Sequence, residues 1–258
     1  MRRLSRVVRS QHDHLELPEV FPSFTAAGVS FRPSELHMIA GQPGAGKSAL
    51  ALTLALGWGE HGIYVSADTS EATVVARTLA MIQREPVADM DRLMLTDPDR
   101  AAEILGLVDW LRWSFPDSPS VYGLDLEIAA FEEVYGTPPG VIVVDNLMDM
   151  SSESDHSSWT AVLRDLKGIA RSTGAAVIVL HHTSEMEQQE APSRRSVQGK
   201  VSQIPALILT VGGTSEGLAV GVVKNRFGPQ DPTATRPLRF RADFSRMSIW
   251  ESPYTGIN

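Results

Sequence analysis

Cysteine is missing from all 258 positions of the chain. Disulfides, cysteine-ligated zinc or iron–sulfur sites and thiol nucleophiles are thereby excluded. A chain of this length buries enough apolar surface to fold without such staples. Long apolar runs are missing too. None approaches the ~18 residues that a membrane-spanning helix needs, so no membrane partner is expected. The opening stretch MRRLSRVVRSQHDH is basic but lacks the apolar core of a signal peptide. Positive charge is in deficit, with 23 Lys and Arg against 31 Asp and Glu and a net charge of −8. That excludes a protein coated in basic surface but leaves room for a local basic patch. Charged residues make up 21% and hydrophobic residues 43%, the balance of a globular domain rather than a disordered chain. A soluble, cytoplasmic protein is expected.

What is present has a clear order. Residues 1–34 read as an N-terminal arm, in which Arg2, Arg3, Arg6 and Arg9 precede the proline-punctuated LPEVFPSF. A frayed terminus and an arm that docks on a neighbouring subunit or on nucleic acid both fit that composition. Residues 35–258 read as one α/β domain. ELHMIA and IYVSAD are predicted strands, and a run of good helix formers from Lys47 lies between them. SEATVVARTLAMIQR is a predicted helix capped by Ser70. Two short helices broken at Asp97-Pro98 follow, then a strand at LRWSF and a helix at LDLEIAAFEEVYG. VIVVD and AAVIVL are β-branched and apolar throughout, as strands buried on both faces are, and a helix separates them. Beyond residue 203, ALILTV, LAVGVVK, LRFRAD and RMSIWE leave no room for helices. They predict antiparallel strands appended to a mostly parallel central sheet flanked by helices.

Residues 41–48 read GQPGAGKS, which matches every fixed position of G-x-x-x-x-G-K-[ST] between a predicted strand and a predicted helix. Its glycines let backbone N–H groups turn inward around phosphate oxygens, and the following helix adds its positive N-terminal end. The stretch expected to wrap the nucleotide is Gly41, Gln42, Pro43, Gly44, Ala45, Gly46, Lys47, Ser48 and Ala49. Lys47 suits the β- and γ-phosphates of ATP, and the Ser48 hydroxyl suits Mg²⁺. Asp145, which ends the buried strand VIVVD, supplies the carboxylate such a magnesium site needs.

Several further pieces fall in one order. An acid, Asp68 in VSADTSEATVVARTLA, precedes Arg77 by nine residues. VIVVDNLMDM, VIVLHHTSE, KNRFGP and LRFRADFSRMSIWE follow. With GQPGAGKS they resemble the motor domain of DnaB-type replicative helicases and the related RadA and plasmid RepA ATPases. The resemblance runs from about Glu35 to Glu251. It implies a RecA-like P-loop NTPase core. It also implies an ATP-dependent DNA helicase or translocase that acts as a homo-oligomeric ring, a hexamer, on single-stranded or branched DNA. Carried over residue by residue, Lys47 and Ser48 hold phosphate and Mg²⁺, Asp145 holds the metal's water shell and Asp68 orients the attacking water. Lys224 and Arg226 reach the neighbouring subunit's nucleotide. Two loops would face the pore, and the one after His182, carrying Arg194, Arg195 and Lys200, is the better DNA candidate.

The chain also departs from the family. Asp68 stands where Glu is usual, and His181-His182 stands where Ser-Gln is usual. His182 remains able to hydrogen-bond a γ-phosphate, and imidazole also titrates near neutrality and binds metals. No accessory domain is expected before residue 35, as in stripped-down motors of the phage or plasmid type. Two alternatives stay open. Asp145, Asp149, Glu153, Asp155, His156, His181 and His182 would suit a metal-dependent, structure-specific DNA nuclease on the same fold. An ATP-switched recombination mediator or loader with little turnover would also fit the shorter Asp68.

Overall fold

The computed structural model describes residues 16–152, 158–184 and 190–251. A nine-stranded sheet runs through these residues in the order β3-β2-β4-β5-β1-β6-β7-β8-β9. Its strands are β1 (Leu36–Gly41), β2 (Gly62–Ser66), β3 (Leu111–Ser114), β4 (Val141–Asp145), β5 (Ala176–His182), β6 (Leu207–Thr214), β7 (Gly217–Asn225), β8 (Leu238–Asp243) and β9 (Ser248–Glu251). The strands from β3 to β6 in that order pair in parallel. From β6 to β9 the pairing is antiparallel, as short connections without room for a helix require. The chain is thus the expected α/β core with an antiparallel C-terminal extension.

The helices are α1 (Pro22–Ala26), α2 (Lys47–Trp58), α3 (Glu71–Gln83), α4 (Val87–Thr96), α5 (Pro98–Leu105), α6 (Val121–Tyr135) and α7 (Trp159–Thr173). Ser70 caps α3 by accepting from the Thr73 N–H at 3.4 Å, and Ser120 caps α6 by accepting from Gly123 at 3.0 Å. Asp97 ends α4 and caps α5, and Pro98 opens the latter, where a missing N–H costs nothing.

Strand alternation sends successive side chains into two cores. Met38, Val65, Val144 and Val179 pack beneath α6 and α7, with Ile128, Phe131, Leu163 and Leu166 above them. Ile39, Val143, Ile178 and Leu180 face the other way, against Leu50, Leu54 and Trp58 of α2. A small third cluster joins α3, α4 and α5 through Leu79, Met90 and Ile104.

The arm expected over residues 1–34 looks different from Glu16 onward. Residues 1–15, with Arg2, Arg3, Arg6 and Arg9, lie outside the described residues. Phe21, Phe24, Val29 and Phe31 are buried in the α2-side core of their own domain. Phe21 meets Phe240 at 4.9 Å, and Phe31 meets Trp58 at 5.1 Å. Burying such a ring contributes about 1.5–3 kcal/mol, more than enough to hold a proline-punctuated segment down. The same segment grips the chain after β7. Asn225 donates to the Gly28 carbonyl at 2.8 Å, and the Arg32 guanidinium lies 4.1 Å from the Phe227 ring centre.

Candidate functional site

The parallel strands β1, β2, β4 and β5 end together, and the chain leaving them walls a cavity of about 530 Å³. GQPGAGKS forms its floor. Gly46 adopts φ +92°, and a Cβ there would lie 2.7 Å from Leu218 and 3.0 Å from Phe244. At Gly41 a Cβ would sit 2.5 Å from the Val211 carbonyl oxygen. Both positions therefore require glycine, for backbone conformation in one and close strand approach in the other. Lys47 opens α2 and is buried, its Nζ donating to the Gln42 carbonyl at 2.9 Å. Burial lowers its pKa, against the opposing pull of Asp145 and Asp68.

Asp145 ends β4 and is 5% exposed. Its carboxylate accepts from the buried Tyr64 hydroxyl at 3.0 Å, and Ser48 lines the same cavity beside it. Burial raises its pKa, and the Ser48 and Tyr64 hydroxyls pull the other way. A hydroxyl and a carboxylate side by side in the cavity of a phosphate loop are hard oxygen ligands of the kind Mg²⁺ takes, so these residues fit that ion.

Asp68 stands on the cavity wall beyond β2, exposed, where its Oδ1 accepts from Thr69 at 2.9 Å and its Oδ2 from Asn146 Nδ2 at 3.2 Å. Asn146 is itself fixed, because its Oδ1 accepts from the Met148 N–H at 2.8 Å. His182 closes the wall at the end of β5. Desolvation, then Lys47, lowers its pKa and favours the uncharged imidazole, against the pull of Asp68 and Asp149. Its neighbour His181 points the opposite way along the strand. His181 is buried edge-on against Trp159, bonds the Gln198 carbonyl at 3.1 Å, and has its pKa lowered to about 4 by burial. The two histidines are therefore not a functional pair. The same strand end holds the following loop, where Thr183 bridges Val197 and the Ser184 N–H donates to the Ser196 carbonyl at 2.9 Å.

Lys47, Ser48, Asp68, Asp145 and His182 thus come together, with Pro43, Gly44, Gly46 and Ala49 beside them. Lys224 and Arg226 do not join them. β7 is antiparallel to β6, which places Lys224 beside Ile208 while the cavity edge of β6 lies at Val211, opposite Gly41. The KNRFGP segment therefore leaves the sheet at the far end from its own phosphate loop. Lys224 is buried there and donates to the Ser202 and Gln203 carbonyls at 2.9 and 2.7 Å. Arg226 is exposed, with one contact to the Gln203 carbonyl at 3.2 Å. Desolvation, followed by Arg226, Arg194 and Lys167, lowers the Lys224 pKa to about 8. Arg194 is half-buried and donates to the Ser202 carbonyl at 3.3 Å, so it joins this basic cluster, whereas Arg195 is exposed. Lys200 lies in the 3₁₀ turn Gln198–Gln203.

Of the acidic group, Glu153, Asp155 and His156 lie outside the described residues. Among the described residues, no three His, Asp or Glu side chains are placed to hold a metal ion. Asn146, Phe244 and Met247 on the cavity wall, and Tyr64 behind Asp145, carry no motif in the sequence. Phe244 and Met247 come from the turn between β8 and β9, and nothing local in FSRM signals a cavity. Asn146 was detectable as a polar residue directly after the strand-ending Asp145.

The AAA domain family model matches residues 30–188. The Gene 65 protein of Mycobacterium phage L5 is 30% identical over 231 residues, covering 84% of this chain and 86% of that protein. The Gene 65 protein of Mycobacterium phage D29 is 30% identical over 210 residues, covering 76% of this chain and 90% of that one. Among solved structures, an isolated ATPase domain matches the fold with a TM-score of 0.76 at 15% identity, covering 96% of both chains. A DnaB-like replicative helicase, solved for its interactions with primase, matches at the same TM-score and identity, covering 96% of this chain and 66% of that one. No helix among the described residues is long and apolar enough to cross a membrane.

Proposed function

The chain belongs to the AAA domain family, and on that premise we propose that it is a phage-type, ATP-driven helicase or translocase motor. In this reading it works as a ring, a hexamer, on single-stranded or branched DNA in the host cytoplasm. It hydrolyses Mg²⁺-ATP between subunits. The observation that carries the reading is the opposition of two sites. The phosphate loop, two carboxylates and an imidazole share one end of the sheet, and the basic KNRFGP segment leaves from the other. A cation that cannot reach its own cavity is useful to a neighbour's, in a head-to-tail contact that closes into a ring.

The phosphates of ATP lie against the loop N–H groups and Lys47, and the base against the apolar edge of Phe244 and Met247. Mg²⁺, when bound, neutralises charge on the β- and γ-phosphates. Ser48 and Asp145 hold it. Asp68 accepts a hydrogen bond from the attacking water and orients it in line with the γ-phosphate, while the Asn146 amide holds the carboxylate still. His182 donates to a γ-phosphate oxygen. Lys224 and Arg226 of the adjacent subunit stabilise charge as the terminal bond breaks, a contribution of about 10³–10⁵ in rate for an arginine supplied in trans. Since β5 ends in His182 and continues into a bridge with the loop, a change at the cavity moves Arg194, Arg195 and Lys200. Six such loops lining a pore multiply a weak phosphate contact.

The test is ATP turnover with and without single-stranded DNA, beside a size measurement with nucleotide. Turnover that DNA stimulates, in a species several chains in size, is expected. A fully active monomer overturns the reading, and strong ATP binding with negligible turnover points instead to a nucleotide-switched mediator.

A further inference from the structure

We propose that Tyr64 is a positioning residue that sets the orientation of the Asp145 carboxylate toward the metal–nucleotide complex. The proposal rests on the functional reading above and adds to it a residue outside every motif.

Tyr64 lies in the middle of β2, two residues before Ser66, which pairs with Asp145 across the sheet. Its hydroxyl meets Asp145 Oδ2 at 3.0 Å with both residues almost fully enclosed, at 3% and 5% exposure. A phenol this deep must find an acceptor, and the acceptor here is the carboxylate that borders the same small space as Ser48. The Tyr64 ring has little freedom of its own. The indole of Trp113 on the adjacent edge strand β3 lies 4.9 Å away, tilted by 33°. Only a narrow space of about 20 Å³ remains between these groups.

The consequence is geometric. Rotation about the Asp145 Cβ–Cγ bond is soft in a free carboxylate. With Oδ2 tied to a ring that cannot move, the plane of the carboxylate is set, and its remaining lone pairs face Ser48 and the cavity. Partners that orient a metal-binding carboxylate in this way typically affect metal affinity about 10–100-fold. Tyr64→Phe removes the hydroxyl and keeps the ring that packs on Trp113, so the fold is retained.

The experiment measures binding of a fluorescent ATP analogue to the full chain twice, with Mg²⁺ and with a chelator, together with Mn²⁺ affinity by electron paramagnetic resonance in the presence of nucleotide. In Tyr64→Phe the gain in nucleotide affinity conferred by metal is expected to fall about tenfold. Affinity in chelator should stay at the wild-type level, and the melting temperature without metal should fall only by what one lost buried hydrogen bond costs. In an Asp145→Asn background the same change should have no further effect on the metal-dependent gain. A wild-type gain that Tyr64→Phe leaves intact overturns the proposal and spares the functional reading. A wild type whose nucleotide binding ignores metal overturns the reading and the proposal with it. Equal weakening with and without metal also overturns the proposal, since it marks a packing role.

Discussion

The two ends of the sheet differ in charge and in how their side chains are held. At the cavity end, Asp68 and Asp145 act on Lys47 while Asp149 faces Asp68 and His182, and burial followed by the charge on Asp68 raises the pKa of Asp145 and Asp149. At the far end, Lys224 feels Arg226, Arg194 and Lys167. The cavity end thus gathers acids around its nucleotide site, and the far end gathers cations around Lys224. The cavity end is built from backbone, with strand ends, a phosphate loop and a helix start. The basic end is built from clasps across long sequence distances, such as Asn225 on Gly28 and Arg32 over Phe227. One end assembles itself as its strands pair. The other is tied to residues 16–34, which clasp Asn225 and Phe227 on either side of Arg226.

Breaking each end should therefore give different kinetics. Lys47→Ala is expected to abolish turnover and weaken nucleotide binding. Arg226→Ala should lower turnover by about 10³ while sparing binding, as a finger acting in trans does. Mixing the two variants should restore part of the activity, read as ATPase rate against mixing ratio, since each supplies the end that the other lacks. Linear addition with no recovery would remove the trans assignment.

Within the cavity end, Asn146→Ala should lower kcat by about 10- to 100-fold with little change in KM, because it frees the Asp68 carboxylate without touching the phosphate loop. An equal rise in KM would show instead that Asn146 shapes nucleotide binding.

A smaller effect separates the ends by pH. Lys224 has its pKa lowered to about 8, chiefly by burial and then by its cationic neighbours. Its charge is present below that value and lost above it, so kcat should decline as pH rises through about 8. Lys224→Arg should move that decline to higher pH, because guanidinium stays charged there. A pH profile unchanged by the substitution would detach Lys224 from the chemistry.

The smallest effect on activity lies between the ends, in stability. His37 is fully buried and its pKa is lowered from 6.5 to about 4 by desolvation, so it is neutral in the folded chain where the unfolded chain would protonate it. Stability is then complete above pH 6.5 and falls as pH drops toward 4, by up to about 3 kcal/mol from this residue. His37→Gln, which keeps an acceptor for the Arg32 N–H, should make the fall in melting temperature across that range shallower, the remainder coming from the similarly buried His181.

Much of the cavity end was legible in the linear chain because its parts are local. GQPGAGKS is eight consecutive residues whose backbone does the binding, and VIVVD announces a buried strand with a carboxylate at its tip. The antiparallel extension was equally visible, since connection length decides pairing direction. The N-terminal segment was less so. LPEVFPSF looks like a linker by its prolines, and its phenylalanines acquire meaning only from Phe240 and Trp58, which lie far along the chain. The His181-His182 pair was legible only in part, for a related reason. Adjacent residues on a strand point to opposite faces, so one faces the cavity and the other a tryptophan.

By itself the sequence determined the α/β class, the phosphate loop and the strand carrying Asp145, because glycine content, helix caps and β-branched runs act over a few residues. Only the tertiary structure decided which side chains meet. It brought Tyr64 to Asp145 across 81 positions, Asn146 to Asp68 across 78 and Phe244 to Gly46, and it set KNRFGP at the end of the sheet away from its own phosphate loop. Those contacts depend on strand register and on two cores closing at once, and neither is a property of any short stretch of chain.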